Sequence, residues 1–207
     1  MGMVDGVLLV VDAYEGTMPQ TRFVLKKALE HKLPAIVVVN KVDREAAKPL
    51  VAVDEVLDLF IELGADEEQL DFPVVYASAF KNTSSLSPDP ETQQEGMSPL
   101  LDMILEKIPD PVFYEDEPLL FQPALLDYND YVGRIGIGRI ERGTLRLNQD
   151  VAICNYHSEE KPKRVRIASL FQIDGLRRVP VEEAKMGDIV CFSGAGEINI
   201  GDTVASL

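Results

Sequence analysis

Two short runs in this chain are apolar at every position: Val-Leu-Leu-Val-Val from Val7 to Val11, and Ala-Ile-Val-Val-Val from Ala35 to Val39. A strand with one wet face alternates apolar and polar residues. Unbroken runs of this kind instead predict strands buried on both faces, the mark of a parallel sheet covered by helices. A third run, Pro73-Val-Val-Tyr-Ala77, continues the series. Helical patterns lie between them. Pro19 suits a helix N-terminus, and Phe23, Leu25, Ala28 and Leu29 supply an apolar stripe that ends near His31, before Pro34. Val53, Val56, Leu57, Phe60 and Ile61 have helical spacing, with Gly64 as the natural C-cap. Residues 81–96, rich in Ser, Thr, Gln and Pro, read as a surface loop, and residues 99–105 begin a last helix. The β-α-β-α-β-α order implies a parallel sheet with right-handed crossovers.

Pro109-Asp-Pro111 is a stiff punctuation mark, and the pattern changes beyond it. From residue 118 on, short β-rich segments are separated by turn signals: Glu141-Arg-Gly143, Leu147-Asn-Gln-Asp150, Lys185-Met-Gly-Asp188 and Ile200-Gly-Asp202. This predicts a small closed or nearly closed β-barrel. Charge shifts at the same place. Residues 1–110 carry 9 Lys/Arg against 20 Asp/Glu, a net of −11, whereas residues 111–207 carry 11 against 15, a net of −4. The expected domains are therefore 1–110, α/β, and 111–207, all-β. A net charge of −15 argues against a general nucleic-acid binder. Cys154 and Cys191 lie far apart and form no CxxC, which argues against a disulfide framework or a zinc site and fits a reducing, cytoplasmic compartment. No apolar run approaches the ~20 residues needed to span a bilayer, so no membrane partner is expected.

The residues with the sharpest chemistry are Asn40-Lys41-Val42-Asp43, at the carboxyl end of the second strand. Ligands of open α/β sheets bind outside the carboxyl ends of the strands. A carboxylate at Asp43 can accept from two adjacent donors at once, and guanine offers such a pair in its ring N1–H and exocyclic amine. Adenine presents an acceptor there and would leave buried groups unpaired, a discrimination that can reach ~10⁴–10⁵-fold. Asn40 can bond the base or tie neighbouring loops together, and the stem of Lys41 can lie along the base plane. Ala77-Ser78-Ala79, at the end of the third strand, forms a small-residue turn whose backbone N–H groups can approach the guanine carbonyl. Either element alone has an ordinary reading as a loop; together, on consecutive strand ends, they point to guanine recognition by Asn40, Lys41, Asp43, Ser78 and Ala79.

The phosphate half of such a site needs a G-x-x-x-x-G-K-[ST] loop, and no glycine here is followed by Lys. Asp130-Tyr-Val-Gly133 matches DxxG by letter but lies in the β-rich half, a chance match. No catalytic or metal-binding residue is assigned.

Several longer stretches carry a closer resemblance: Val4-Asp-Gly-Val-Leu-Leu-Val-Val-Asp-Ala13, Met18-Pro-Gln-Thr-Arg-Phe23, Asn40-Lys-Val-Asp-Arg44, Gln69-Leu-Asp-Phe-Pro73 and Val75-Tyr-Ala-Ser-Ala79. With Tyr131-Val-Gly-Arg-Ile-Gly-Ile-Gly-Arg-Ile140 in the second half, their order and spacing resemble the TypA/BipA translational GTPases. The resemblance implies the last three strands of a P-loop GTPase sheet followed by a translation-factor-type β-barrel, domain II. It implies a parent protein that binds GTP or GDP with Mg2+, hydrolyses GTP, and associates with the ribosome, its RNA and its proteins, in assembly or in translation under stress. The present piece is then expected to supply base recognition without catalysis and to bind no nucleotide on its own. Met1-Gly2 reads as a cloning remnant. Loss of a neighbouring strand predicts self-association through the edge from Val7 to Val11. Two other readings remain open: a non-enzymatic ribosome- or protein-binding module with a degenerate half-site, and a piece of an elongation factor G-like GTPase. In the barrel, Arg134, Arg139, Arg142 and the run from Lys161 to Arg166 either meet RNA phosphate or balance nearby acids on a solvated face. His31 at a helix end and His157 in the polar Tyr156-His-Ser-Glu-Glu loop are expected to be solvated, and both cysteines to be inert core residues.

Overall fold

The computed structural model describes residues 2–110, 112, 114, 116–158 and 161–207; Pro111 of the Pro-Asp-Pro punctuation and Glu159 and Glu160 of the His157 loop lie outside the described residues. The chain divides into two compact units, residues 3–110 and 111–207.

The first unit runs β1 (Val7–Asp12), α1 (Pro19–Glu30), β2 (Ala35–Asn40), α2 (Pro49–Glu62), α3 (Glu67–Leu70), β3 (Val74–Ser78), β4 (Thr83–Ser85), β5 (Gln94–Glu95) and α4 (Ser98–Lys107). Its sheet has the order β1-β2-β3-β4-β5. The first three strands are parallel and β4 and β5 antiparallel. The three apolar runs thus form the parallel strands they predict. On one face, Leu9, Val11, Val37 and Val39 pack with Leu25 of α1 and Val56 and Phe60 of α2. On the other, Ile36, Val38, Val75 and Ala77 pack beneath Leu100, Met103 and Ile104 of α4. Gly64, just past α2, adopts φ +78° and donates to Ile61 O, closing that helix as its position predicts.

Two expectations are corrected here. Residues 81–96 are more than a surface loop: Thr83–Ser85 and Gln94–Glu95 extend the sheet to five strands. Their polarity hid them. Ser84 and Ser85 are buried, and their hydroxyls are satisfied by Gly96 O at 2.7 Å and Thr92 Oγ1 at 2.8 Å, so a strand edge is built from residues that read as loop. Likewise β1 is covered on one face only. Leu8 and Val10 remain 41% and 56% exposed, because α4 lies over β2 and β3.

The second unit is all β: β6 (Leu120–Phe121), β7 (Leu125–Asn129), β8 (Gly133–Arg142), β9 (Thr144–Arg146), β10 (Asp150–Asn155), β11 (Lys163–Arg166), β12 (Ser169–Asp174), β13 (Arg177–Pro180), β14 (Glu183–Lys185), β15 (Ile189–Ser193) and β16 (Asp202–Ala205). Pairing follows the path β11-β10-β16-β6-β8-β15-β12-β13, with β7 also on β8 and β9 paired with β14. This path does not close into a complete ladder among the described residues. Its two sides are instead joined by the chain itself: β11 pairs with β10, then Ile167 and Ala168 turn the corner, bonding to Gln149 O and Ser193 O, and β12 pairs with β15. A strand that switches sheets at a bend makes such a corner. The enclosed core contains Phe121, Ile140, Val151, Leu170, Phe192 and Ile198, with the Phe121 and Phe192 rings edge to face at 5.2 Å. Cys191 is buried, as a core cysteine should be, but Cys154 is half-buried and lines an open cleft.

Candidate functional site

Parallel register brings Asp12, Asn40 and Ala77 level with one another across β1, β2 and β3. The three loops that leave these strand ends therefore emerge side by side, which is where the sheet's geometry allows a ligand. They are laced together by short bonds. Ala13 N–H donates to Asn40 O at 2.8 Å, and Val42 N–H to Ala77 O at 3.3 Å.

The five residues singled out from sequence converge in this lacing. Asn40 Oδ1 accepts from Lys41 N–H at 2.8 Å and from Ala79 N–H at 3.0 Å, so Asn40 ties the β2 loop to the β3 loop. Ser78 is 1% exposed; its Oγ accepts from Lys81 N–H at 3.1 Å, and its hydroxyl lies near the Asp43 carboxylate. The neighbouring Ser78 hydroxyl holds the Asp43 carboxyl below its ordinary value, with nearby Lys81 and Arg44 acting in the same direction. Asp43 is half-buried and offers an ionised acceptor. Ala79 N–H, expected to face a base carbonyl, already donates to Asn40, so that carbonyl would share an engaged donor.

One residue of the cluster escaped the sequence reading. Asp12 Oδ1 accepts from the backbone N–H groups of Tyr14 at 2.8 Å and Glu15 at 3.3 Å, and its Oδ2 accepts from Lys41 Nζ at 2.5 Å. Burial works to raise its pKa; the Lys41 bond and the two backbone donors outweigh it, and the net direction is down. The available signal was a lone acid closing an otherwise apolar strand.

The basic residues of the second unit are mostly engaged within it. An open cleft of about 900 Å³ is lined by Arg134, Cys154, Lys161, Lys163, Arg164 and Asp202 among others. Within it Arg134 bonds Ile198 O at 3.0 Å and Asn199 Oδ1 at 2.6 Å, Lys163 pairs with Glu197 at 2.7 Å, and Arg164 pairs with Asp150 at 2.6 Å. Arg166 also converges on Asp150, at 2.9 Å, and Arg142 pairs with Glu117 at 3.0 Å. Arg142, Lys163, Arg164 and Arg166 thus have acids as partners, whereas Arg134 bonds neutral oxygens. His31 caps the end of α1 and is exposed, as is His157.

Residues 1–110 match the family model described as the elongation factor Tu GTP binding domain, and residues 133–205 match that of elongation factor Tu domain 2. The chain belongs to the elongation factor Tu family of GTP-binding proteins. Within it, the chain is of the TypA/BipA type: it is 59% identical over 207 residues to the large ribosomal subunit assembly factor BipA of Bacillus subtilis (strain 168), covering 100% of this chain and 33% of that protein. It is 50% identical over 204 residues to the protein of the same description from Escherichia coli (strain K12), covering 99% of this chain and 33% of the relative. The chain thus spans about a third of the length of the curated relatives it matches. Its fold is also similar to that of translation elongation factor SelB from Methanococcus maripaludis in its apo form, with a TM-score of 0.72 at 18% identity, over 99% of this chain and 40% of that one.

Proposed function

We propose that this chain is the guanine-reading part of a GTP-hydrolysing, ribosome-associated factor of the cytoplasm that acts in ribosome assembly or in translation under stress. Residues 1–110 are read as the C-terminal half of its GTP-binding domain and residues 111–207 as the barrel-like domain II that follows. In this reading Asp43 accepts from the two adjacent guanine donors, and Asn40 and Ser78 hold the loops in place. Lys41 lies along the base, and the Ala79 N–H faces the base carbonyl. The triphosphate and Mg2+ are left to other parts of the longer protein, since the 207 residues hold no G-x-x-x-x-G-K-[ST] loop.

The observation that carries the reading is the bonded loop pair: Ala79 N–H to Asn40 Oδ1 and Val42 N–H to Ala77 O join two loops at the carboxyl ends of adjacent parallel strands. The residues fit guanine chemically, because the acceptor it needs is ionised, half-exposed and lies near a buried hydroxyl that favours its charge. The names of the relatives support the ribosomal role. The test is calorimetric binding of GDP and GTP to this chain and to a full-length protein containing it, with Asp43→Asn in parallel. Binding by the full-length protein alone, with weakened guanine preference in the variant, is the expected result. Absence of guanine nucleotide binding in both would reduce residues 40–43 to an ordinary loop.

A further inference from the structure

The Lys41 side chain runs across to β1, where its ammonium reaches Asp12 Oδ2 at 2.5 Å. Three features make this more than an incidental ion pair. First, Asp12 is fixed independently of Lys41: two backbone N–H groups hold its other oxygen, and its side chain is only 10% exposed, against 43% for Lys41. Second, Lys41 adopts φ +66°, a left-handed conformation uncommon for a residue with a Cβ and one that persists only where surrounding contacts determine it. Its N–H is held by Asn40 Oδ1 at 2.8 Å. Third, Arg44 comes no closer to the same carboxylate than 3.8 Å, so Lys41 is the primary partner. Half-exposed ion pairs add little stability, which makes a purely structural role a poor account of this arrangement.

We propose that Asp12 is a positioning residue of the guanine site, anchoring the Lys41 ammonium so that the four-carbon stem is held in place as one wall for the base. The proposal rests on the guanine-site reading given above. A lysine stem free in solution must be ordered when a ligand packs on it; one already tethered at its far end has lost that freedom beforehand. Asp12 therefore acts through Lys41 and does not itself touch the nucleotide.

The test is a double-mutant cycle in a full-length protein containing this chain, read by GDP affinity. Asp12→Asn keeps an oxygen for the Tyr14 and Glu15 N–H groups and removes the charge that holds Lys41. It should weaken GDP binding about three- to tenfold, the cost of immobilising one flexible side chain. In a Lys41→Met background the same change should have little further effect, since the anchored group is gone. An unchanged affinity in Asp12→Asn overturns the proposal. So does an equal loss in both backgrounds, which marks a structural effect independent of Lys41. Asp43→Asn serves as the separate arm, read as preference for GDP over inosine diphosphate, which lacks the exocyclic amine. If Asp43→Asn lowers that preference while the Asp12 variants are silent, the positioning role alone falls. If Asp43→Asn leaves it unchanged, the guanine-site reading falls, and the anchor with it.

Discussion

Ser78 shows how one buried hydroxyl can set the chemistry of a neighbouring loop. It lies near Asp43, where it favours the ionised carboxylate, and accepts from Lys81 N–H, which fixes the hydroxyl's own position. With the folded-state pKa of Asp43 depressed, the acceptor stays charged above that value and is lost only as pH falls through it. Removal of the hydroxyl lets the carboxyl return upward toward the ordinary range. Ser78→Ala is therefore expected to move the acid limb of GDP binding by a full-length protein to higher pH, with a smaller change at neutral pH. The check is GDP affinity measured as a function of pH; an acid limb that stays in place would separate Ser78 from the ionisation of Asp43. At this scale the sequence was legible where chemistry is local: Asn40 and Asp43 stand out because their spacing and strand-end position are visible in one dimension. Asp12 was not, because its meaning depends on Lys41, 29 positions away and brought near only by the parallel register of β1 and β2.

Elements differ in how much of their structure depends on pattern and how much on partners. β1, β2, β3 and α2 were readable because burial imposes a hydrophobic period, and Phe60 illustrates the force behind it. It is fully buried against Phe72, ring centroids 4.5 Å apart. Phe60→Ala should destabilise the first unit by about 3–5 kcal/mol, measured by urea unfolding; a loss under 1 kcal/mol would place Phe60 outside the core. Turns were readable through glycine. Gly143 and Gly64 both adopt positive φ, +70° and +78°. A Cβ at Gly143 would meet Glu117 O at 2.5 Å and Leu119 N at 2.9 Å, whereas one at Gly64 has nothing within 4 Å. Both substitutions to Ala carry backbone strain, of order 1–3 kcal/mol. Gly143→Ala carries a backbone clash as well, so it should be the more damaging of the two by denaturant midpoint. Equal losses would mean the chain near Glu117 yields freely. What stayed hidden was β4 and β5, whose buried serines satisfy their hydroxyls inside the fold, and the corner at Ile167 and Ala168, which exists only because β11 and β12 pair with different neighbours.

At the scale of the whole molecule two tendencies oppose each other. β1 has β2 on one side and no second strand partner among the described residues, and its Leu8 and Val10 side chains are exposed. An uncovered apolar edge of this kind favours pairing with another chain. Against it stands a net charge of −15 in every copy, which repels at long range. Salt decides between them, because it screens repulsion and leaves burial of apolar surface intact. Between about 0.01 M and about 1 M salt the Debye length falls from about 30 Å to about 3 Å. The 207-residue chain is therefore expected to sediment as a monomer at low ionic strength and to self-associate increasingly as salt rises. Lysine on an edge strand disfavours such pairing, so Val10→Lys should keep the chain monomeric throughout, even though it lowers the net negative charge and so weakens the repulsion. A monomer at all salt concentrations would show that the edge does not pair. Association of Val10→Lys as strong as the parent's would place the contact elsewhere on the surface.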